Sequence, residues 1–208
     1  MAEELEIALR VVLIGAGATI VMDIWLFLLK RLGIPTLDIA LLGRWVGHLP
    51  RGQWAHDRVA NASPITAERW LGWAAHYAIG VAFALLQVSV WGLAWGRSPT
   101  LLPAVLTGVA TVAAPLFVLQ PALGAGIASS RTKTPVRNIA MSLANHAVFG
   151  IGLYLAAVVS TWLIPTSLTR VSTASVVTRG LDPRVHAFRC SICGKEWIAG
   201  SSPAMTSR

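Results

Sequence analysis

Asp23, His76 and His146 are the residues in this chain whose types and placement allow chemistry. Each lies inside a long apolar stretch, where an ionisable group is costly and marks a candidate functional position. A carboxylate and two imidazoles allow three roles. They can act as helix-to-helix hydrogen bonds, as a proton relay in transport, or as ligands for a divalent metal ion, since two His and one carboxylate suit such an ion. Asn145 and Gln120 lie near the same depth and complete the candidate polar layer. No serine–histidine pair, paired-carboxylate motif, phosphate loop or haem motif accompanies them. The reading therefore leans away from an enzyme, and no cofactor is indicated.

The elements that must position these groups are four apolar runs, about Ile7–Leu29, Trp70–Trp95, Leu101–Leu123 and Ile139–Ile164. Each approaches the ~20 residues a helix needs to cross the hydrocarbon core of a bilayer. They are continuous rather than alternating, which selects helices over a barrel. Only 12% of the 208 residues are charged, about half the share usual in soluble domains. The expected fold is all-α: a four-transmembrane-helix bundle over residues 1–165. The partner it implies is the lipid bilayer.

Lys30, Arg31, Arg44, Arg51, Arg58 and Arg69 flank the first loop, and Arg131, Lys133 and Arg137 flank the third. The positive-inside rule puts both loops in the cytoplasm and both termini outside, which for a bacterial chain means a multi-pass inner-membrane protein with periplasmic termini. The first apolar run is too long for the core of a signal peptide and reads as a retained span. The net charge of +8 is spread through loops beside apolar spans, so nucleic acid is not an expected partner. Trp70, Trp73, Trp91, Trp95 and Trp162 near the segment ends read as interfacial anchors.

Depth can be counted from the loop charges. Asp23 lies seven residues before Lys30, His76 seven after Arg69, and His146 nine after Arg137. At 1.5 Å per residue all three fall roughly 10–14 Å below the cytoplasmic boundary. His76-x3-Gly80 and His146-x3-Gly150 echo each other. The i, i+4 spacing puts His and Gly on one face, and Gly admits a close neighbour. Gly15-x3-Thr19 and Gly108-x2-Thr111 form a fainter echo, consistent with tandem duplication of a two-helix unit.

The first loop is expected to hold a short interfacial helix capped near Thr36 and ended by Pro50. Leu37, Leu41, Trp45 and His48 would share one face; the segment is either a connector resting on the membrane or a lid or substrate-side gate built from Arg44, His48 and Arg51. Pro115 should kink the third span and free the carbonyl of Thr111. The Gly15-to-Thr19 small-residue run reads as a packing face, and such faces are compatible with a homo-oligomer.

Residues 166–208 change in character and are expected to be a disordered tail. The run "TRGLDPRVH…WIAGSSPAMTSR" resembles translated intergenic palindromic repeats of alphaproteobacterial genomes. Within it, His186, Cys190 and Cys193 resemble half a zinc knuckle, but four ligands are needed and no second cysteine pair exists.

Five blocks, "LIGAGATIVMDIWLFLLKRLGIP", "GRWVGHLPRG", "GWAAHYAIGVAFALL", "QPALGAGIASSRT" and "NHAVFGIGLYL", resemble a bacterial integral membrane family, domain of unknown function 2938, over about residues 5–162. The resemblance implies a four-helix inner-membrane protein and assigns no catalytic residues. Small-solute or proton-linked transport through Asp23, His76 and His146 is the expected function. The alternative is a non-catalytic membrane interaction or scaffold protein.

Overall fold

The computed structural model describes residues 2–164 and two short segments, Ala187–Arg189 and Glu196–Ile198. The chain divides into two units, Met1–Thr166 and Ser167–Arg208. Within the second unit, β1 (Ala187–Arg189) pairs antiparallel with β2 (Glu196–Ile198), Phe188 opposite Trp197. The expectations of a disordered tail, of a translated repeat and of half a zinc knuckle at His186, Cys190 and Cys193 otherwise lie outside the described residues.

The first unit is helical throughout its regular structure. Its elements are α1 (Ala2–Arg31), α2 (Ile39–His48), α3 (Glu68–Arg97), α4 (Leu101–Ala110), α5 (Gln120–Ala122) and α6 (Pro135–Leu163). Four stretches are long and apolar enough to cross a bilayer: Glu3–Arg31, Glu68–Arg97, Leu101–Ala122 and Pro135–Leu163. This is the pattern of a multi-pass membrane protein. The bundle has one end formed by the loops 32–67 and 123–134, and another formed by the start of α1, the α3–α4 turn and the end of α6.

Successive spans run antiparallel. α1 packs between α3 and α6, and α6 between α1 and α4. Small residues let these backbones approach closely. A Cβ on Gly15 would lie 2.5 Å from the Cα of Val81, and one on Gly108 would lie 2.5 Å from the Cα of Gly150. Such contacts replace the hydrophobic drive that lipid removes, since lipid tails are as apolar as leucine. The core between the helices centres on Ile14, Ala18, Ala84, Leu153 and Ala157. Ile20, Phe27, Val90 and Val159 lie on outer faces.

The two halves repeat one contact scheme. In the α1–α3 pair, Gly80 packs on Gly15 and Thr19, and the Thr19 hydroxyl donates to the Gly15 carbonyl at 2.8 Å. In the α4–α6 pair, Gly150 packs on Ala104, Val105 and Gly108, and the Thr111 hydroxyl donates to the Gly108 carbonyl at 2.6 Å.

The third span breaks earlier than the position of Pro115 suggests. α4 ends at Ala110, and Pro115–Leu119 winds as a wider π-type turn. The Thr111 carbonyl does not stay free, because it accepts the Ala114 amide at 3.1 Å. Local rewinding of this kind is how a membrane helix absorbs a proline.

In the first loop, the cap of α2 is Asp38 rather than Thr36; its carboxylate accepts the Ala40 amide at 3.0 Å. α2 lies across the start of α3, with Gly43 against the Glu68 carbonyl and Gly72 against that of Ile39. Its buried face is Leu42, Gly43 and His48, while Leu37 is exposed. The glycine crossing, rather than the leucine spacing, sets that face.

Candidate functional site

The polar layer is divided into two clusters. In the first, on the α1–α3 pair, the Asp23 carboxylate accepts His76 Nε2 at 2.9 Å and the Tyr77 hydroxyl at 3.0 Å. Both carboxylate oxygens are thus engaged by α3. The ring of Trp73 lies 6.0 Å from that of His76, edge to face. The Asp23 and His76 side chains keep 20% and 17% of their exposure, so the pair is sheltered without being sealed.

The second cluster is on the α4–α6 pair. His146 is buried, and its Nδ1 lies 3.0 Å from the Thr111 hydroxyl. That hydroxyl has a single proton, given to the Gly108 carbonyl. Phe83 and Phe149 flank the ring at centroid distances of 6.2 and 6.5 Å.

The motif itself explains the division. Each histidine shares a face with the glycine four residues on, and that glycine faces the partner helix of its own pair. His76 is thereby committed to α1 and His146 to α4. Asp23, His76 and His146 do not meet as one ligand set. Among the described residues, no three His, Cys, Asp or Glu side chains gather as they would around a metal ion.

Asn145 accepts the indole N–H of Trp25 at 2.9 Å, a bond between α6 and α1. Gln120 accepts the Ser129 hydroxyl at 3.0 Å and donates to that of Ser142 at 3.3 Å, so it ties the following loop to α6. The three first-loop residues, Arg44, His48 and Arg51, are placed differently from one another. Arg44 forms two parallel bonds to the Glu68 carboxylate, at 2.8 and 2.9 Å, and donates to the carbonyls of Ala60 and Ala62. The Glu68 hydrogen bond holds its guanidinium above the usual range. His48 contacts Gln53 at 2.6 Å through Nδ1 and the Ser63 carbonyl at 2.9 Å through Nε2. Arg51 is exposed.

Sequence reading missed a third cluster, at the opposite end of the bundle. Arg10, 1% exposed, donates to Glu6 at 2.9 Å, the Gly96 carbonyl at 3.1 Å, Ser160 at 3.2 Å and the Ile164 carbonyl at 2.6 Å. Arg97 grips the same Glu6 carboxylate at 2.7 and 3.0 Å. A guanidinium set against the terminal carbonyls of two helices is favourable for the helix dipole as well. The Glu6–Arg10 spacing of four was the available signal. Of the tryptophans expected at the interface, Trp95 is buried and donates to the Thr100 carbonyl, while Trp91 stays exposed and donates to Thr107, each at 3.1 Å. Between the clusters, Gln87 is fully buried and neither amide atom has a partner.

No curated protein and no solved structure matches the chain. The signature of a family described as a protein of unknown function, DUF2938, matches residues 12–160, which span α1 through most of α6 and hold all three polar clusters except Glu6, Arg10 and Ile164. With well over half its length matched, the chain belongs to the DUF2938 family.

Proposed function

We propose that this is an inner-membrane protein with both basic loops in the cytoplasm, and that Asp23, His76 and Tyr77 form a relay that carries protons across the membrane in proton-linked transport. One observation carries this reading: a carboxylate and an imidazole, 2.9 Å apart, sit partly exposed within two membrane-spanning helices. Ionisable groups are retained at such depth chiefly where they do work. Imidazole is the side chain whose charge changes nearest neutral pH. Against a carboxylate it can take up and release a proton while the pair stays joined, and Tyr77 steadies the second oxygen.

The test is proton flux into liposomes under a potassium-diffusion potential, read by an enclosed pH dye. Wild-type protein should acidify the lumen faster than empty vesicles. Asp23→Asn and His76→Gln should return the rate to the empty-vesicle level at unchanged protein abundance. Full flux in Asp23→Asn, or none in wild type, would defeat the reading. A second reading, a non-catalytic scaffold, is favoured by a separate observation: Asp23, Asn145, Gln120 and Thr111 all spend polar atoms on neighbours in the bundle. Under it both variants leave flux unchanged and lower stability instead.

A further inference from the structure

At the loop end, the two loops are joined backbone to backbone. The His56 amide donates to the Ala122 carbonyl at 2.9 Å, and the Val59 amide donates to that of Leu123 at 3.1 Å. Gly124, at φ +93°, comes so near the Asp57 carbonyl that a Cβ there would collide. The backbone then holds positive φ at Gly126, Ala128 and Ser129. For alanine and serine this conformation is strained and persists only where the surroundings impose it, as at ligand clamps. Here the Arg131 amide closes the turn onto Ala125 at 2.9 Å, and Ser129 is pinned to Gln120.

This junction surrounds an open cavity of about 510 Å³, lined by His56, Asp57, Gly126, Ile127, Ser130 and Arg131 among others. The volume is within the usual range for small-molecule sites. One of its groups is buried without a partner, and two more are exposed charges that pair with nothing else among the described residues. Both ring nitrogens of His56 are buried without a hydrogen bond. Its ring meets only the edge of His48, with centroids 5.2 Å apart. Asp57 and Arg131 line the same cavity with opposite charges, yet neither side chain makes an ion pair or hydrogen bond among the described residues. Buried polar atoms are nearly always paired, and an exception calls for an explanation.

We propose that the cavity binds a small zwitterion, an ammonium joined by a short link to an oxoacid anion. Arg131 and the Ser130 hydroxyl take the anionic end, and Asp57 takes the ammonium. A simple anion would meet Asp57 unfavourably, and a simple cation would meet Arg131. One molecule bearing both charges satisfies both walls. The chemistry has two sources, a phosphoethanolamine lipid headgroup and a free α-amino acid. The proposal does not rest on the proton-binding reading, whose residues lie in α1 and α3.

Calorimetric titration of the full chain in lipid-free detergent tests it, with glycerophosphoethanolamine, L-alanine, inorganic phosphate and ethanolamine as separate probes. One of the two zwitterions should bind at least about tenfold more tightly than phosphate or ethanolamine, and which one binds identifies the source. Asp57→Asn and Arg131→Gln should each weaken that binding about tenfold or more. Both sites are exposed, and unchanged thermal melts would show that the variants fold. Binding of neither zwitterion, phosphate binding as tight as either, or unaltered affinity in Asp57→Asn would overturn the proposal.

Discussion

Replacing Arg10 with methionine keeps an unbranched apolar stem and removes every polar contact the guanidinium makes. Four hydrogen bonds are lost, to Glu6, Gly96, Ser160 and Ile164. Three of them join α1 to α3 and α6, and interhelical bonds in membranes average ~0.6 kcal/mol and reach ~1.7, so the loss falls between about 2 and about 5 kcal/mol. The low end applies, because Glu6 keeps both bonds to Arg97 and no charge is left naked. We expect Arg10→Met to cost about 2–3 kcal/mol, read as reversible unfolding in mixed detergent and dodecyl sulfate micelles. Arg97→Met is the control. Its side chain is 36% exposed and, among the described residues, hydrogen-bonds to Glu6 alone, so it should cost less than about 1 kcal/mol, as open ion pairs do. Equal costs for the two variants, or a neutral Arg10→Met, would show that burial at this end is not held by the arginine.

Two further predictions concern the bundle interior. Gly150→Ala places a Cβ 2.8 Å from the Ala104 carbonyl and from the Cα of Val105; overpacking should cost about 1–3 kcal/mol in the same assay, whereas Gly96→Ala, whose nearest contact would be 3.6 Å away, should be near neutral. Gln87→Met removes two unpartnered buried amide atoms and should stabilise the protein by about 1–3 kcal/mol, so a loss of stability would mean that the amide has a bonded occupant.

The spans were legible because bilayer thickness fixes their length, and composition marks them without tertiary information. Gly80 and Gly150 were legible as close-approach points, since a small residue four positions from a histidine marks a helix face. The lateral split of the histidines was implicit in the same spacing, but depth counting gives height along the membrane normal and says nothing about position within the plane. Asp23 and His76 meet, and His146 turns to Thr111, because each face is committed to one neighbour. The Glu6–Arg10–Arg97 cluster was hidden for another reason. Its partners are separated by 86 to 154 positions along the chain, and flanking charges at span ends are ordinarily read as topology signals. The wider turn after Pro115 and the positive-φ stretch from Gly124 to Ser129 depend on how two loops dock, which local patterns do not carry.

The reach of Arg10 has a consequence for biogenesis. Ribosomes deliver α1 first, when Glu6 is the only one of the four partners already made. The carbonyl at Gly96 arrives with the second span, and Ser160 and Ile164 arrive only with the last. Until then the guanidinium must reach toward the headgroups, holding α1 shallow in the membrane. A nascent chain stalled before α6 would hold Arg10 without Ser160 and Ile164, so the last span completes the coordination that the first one begins.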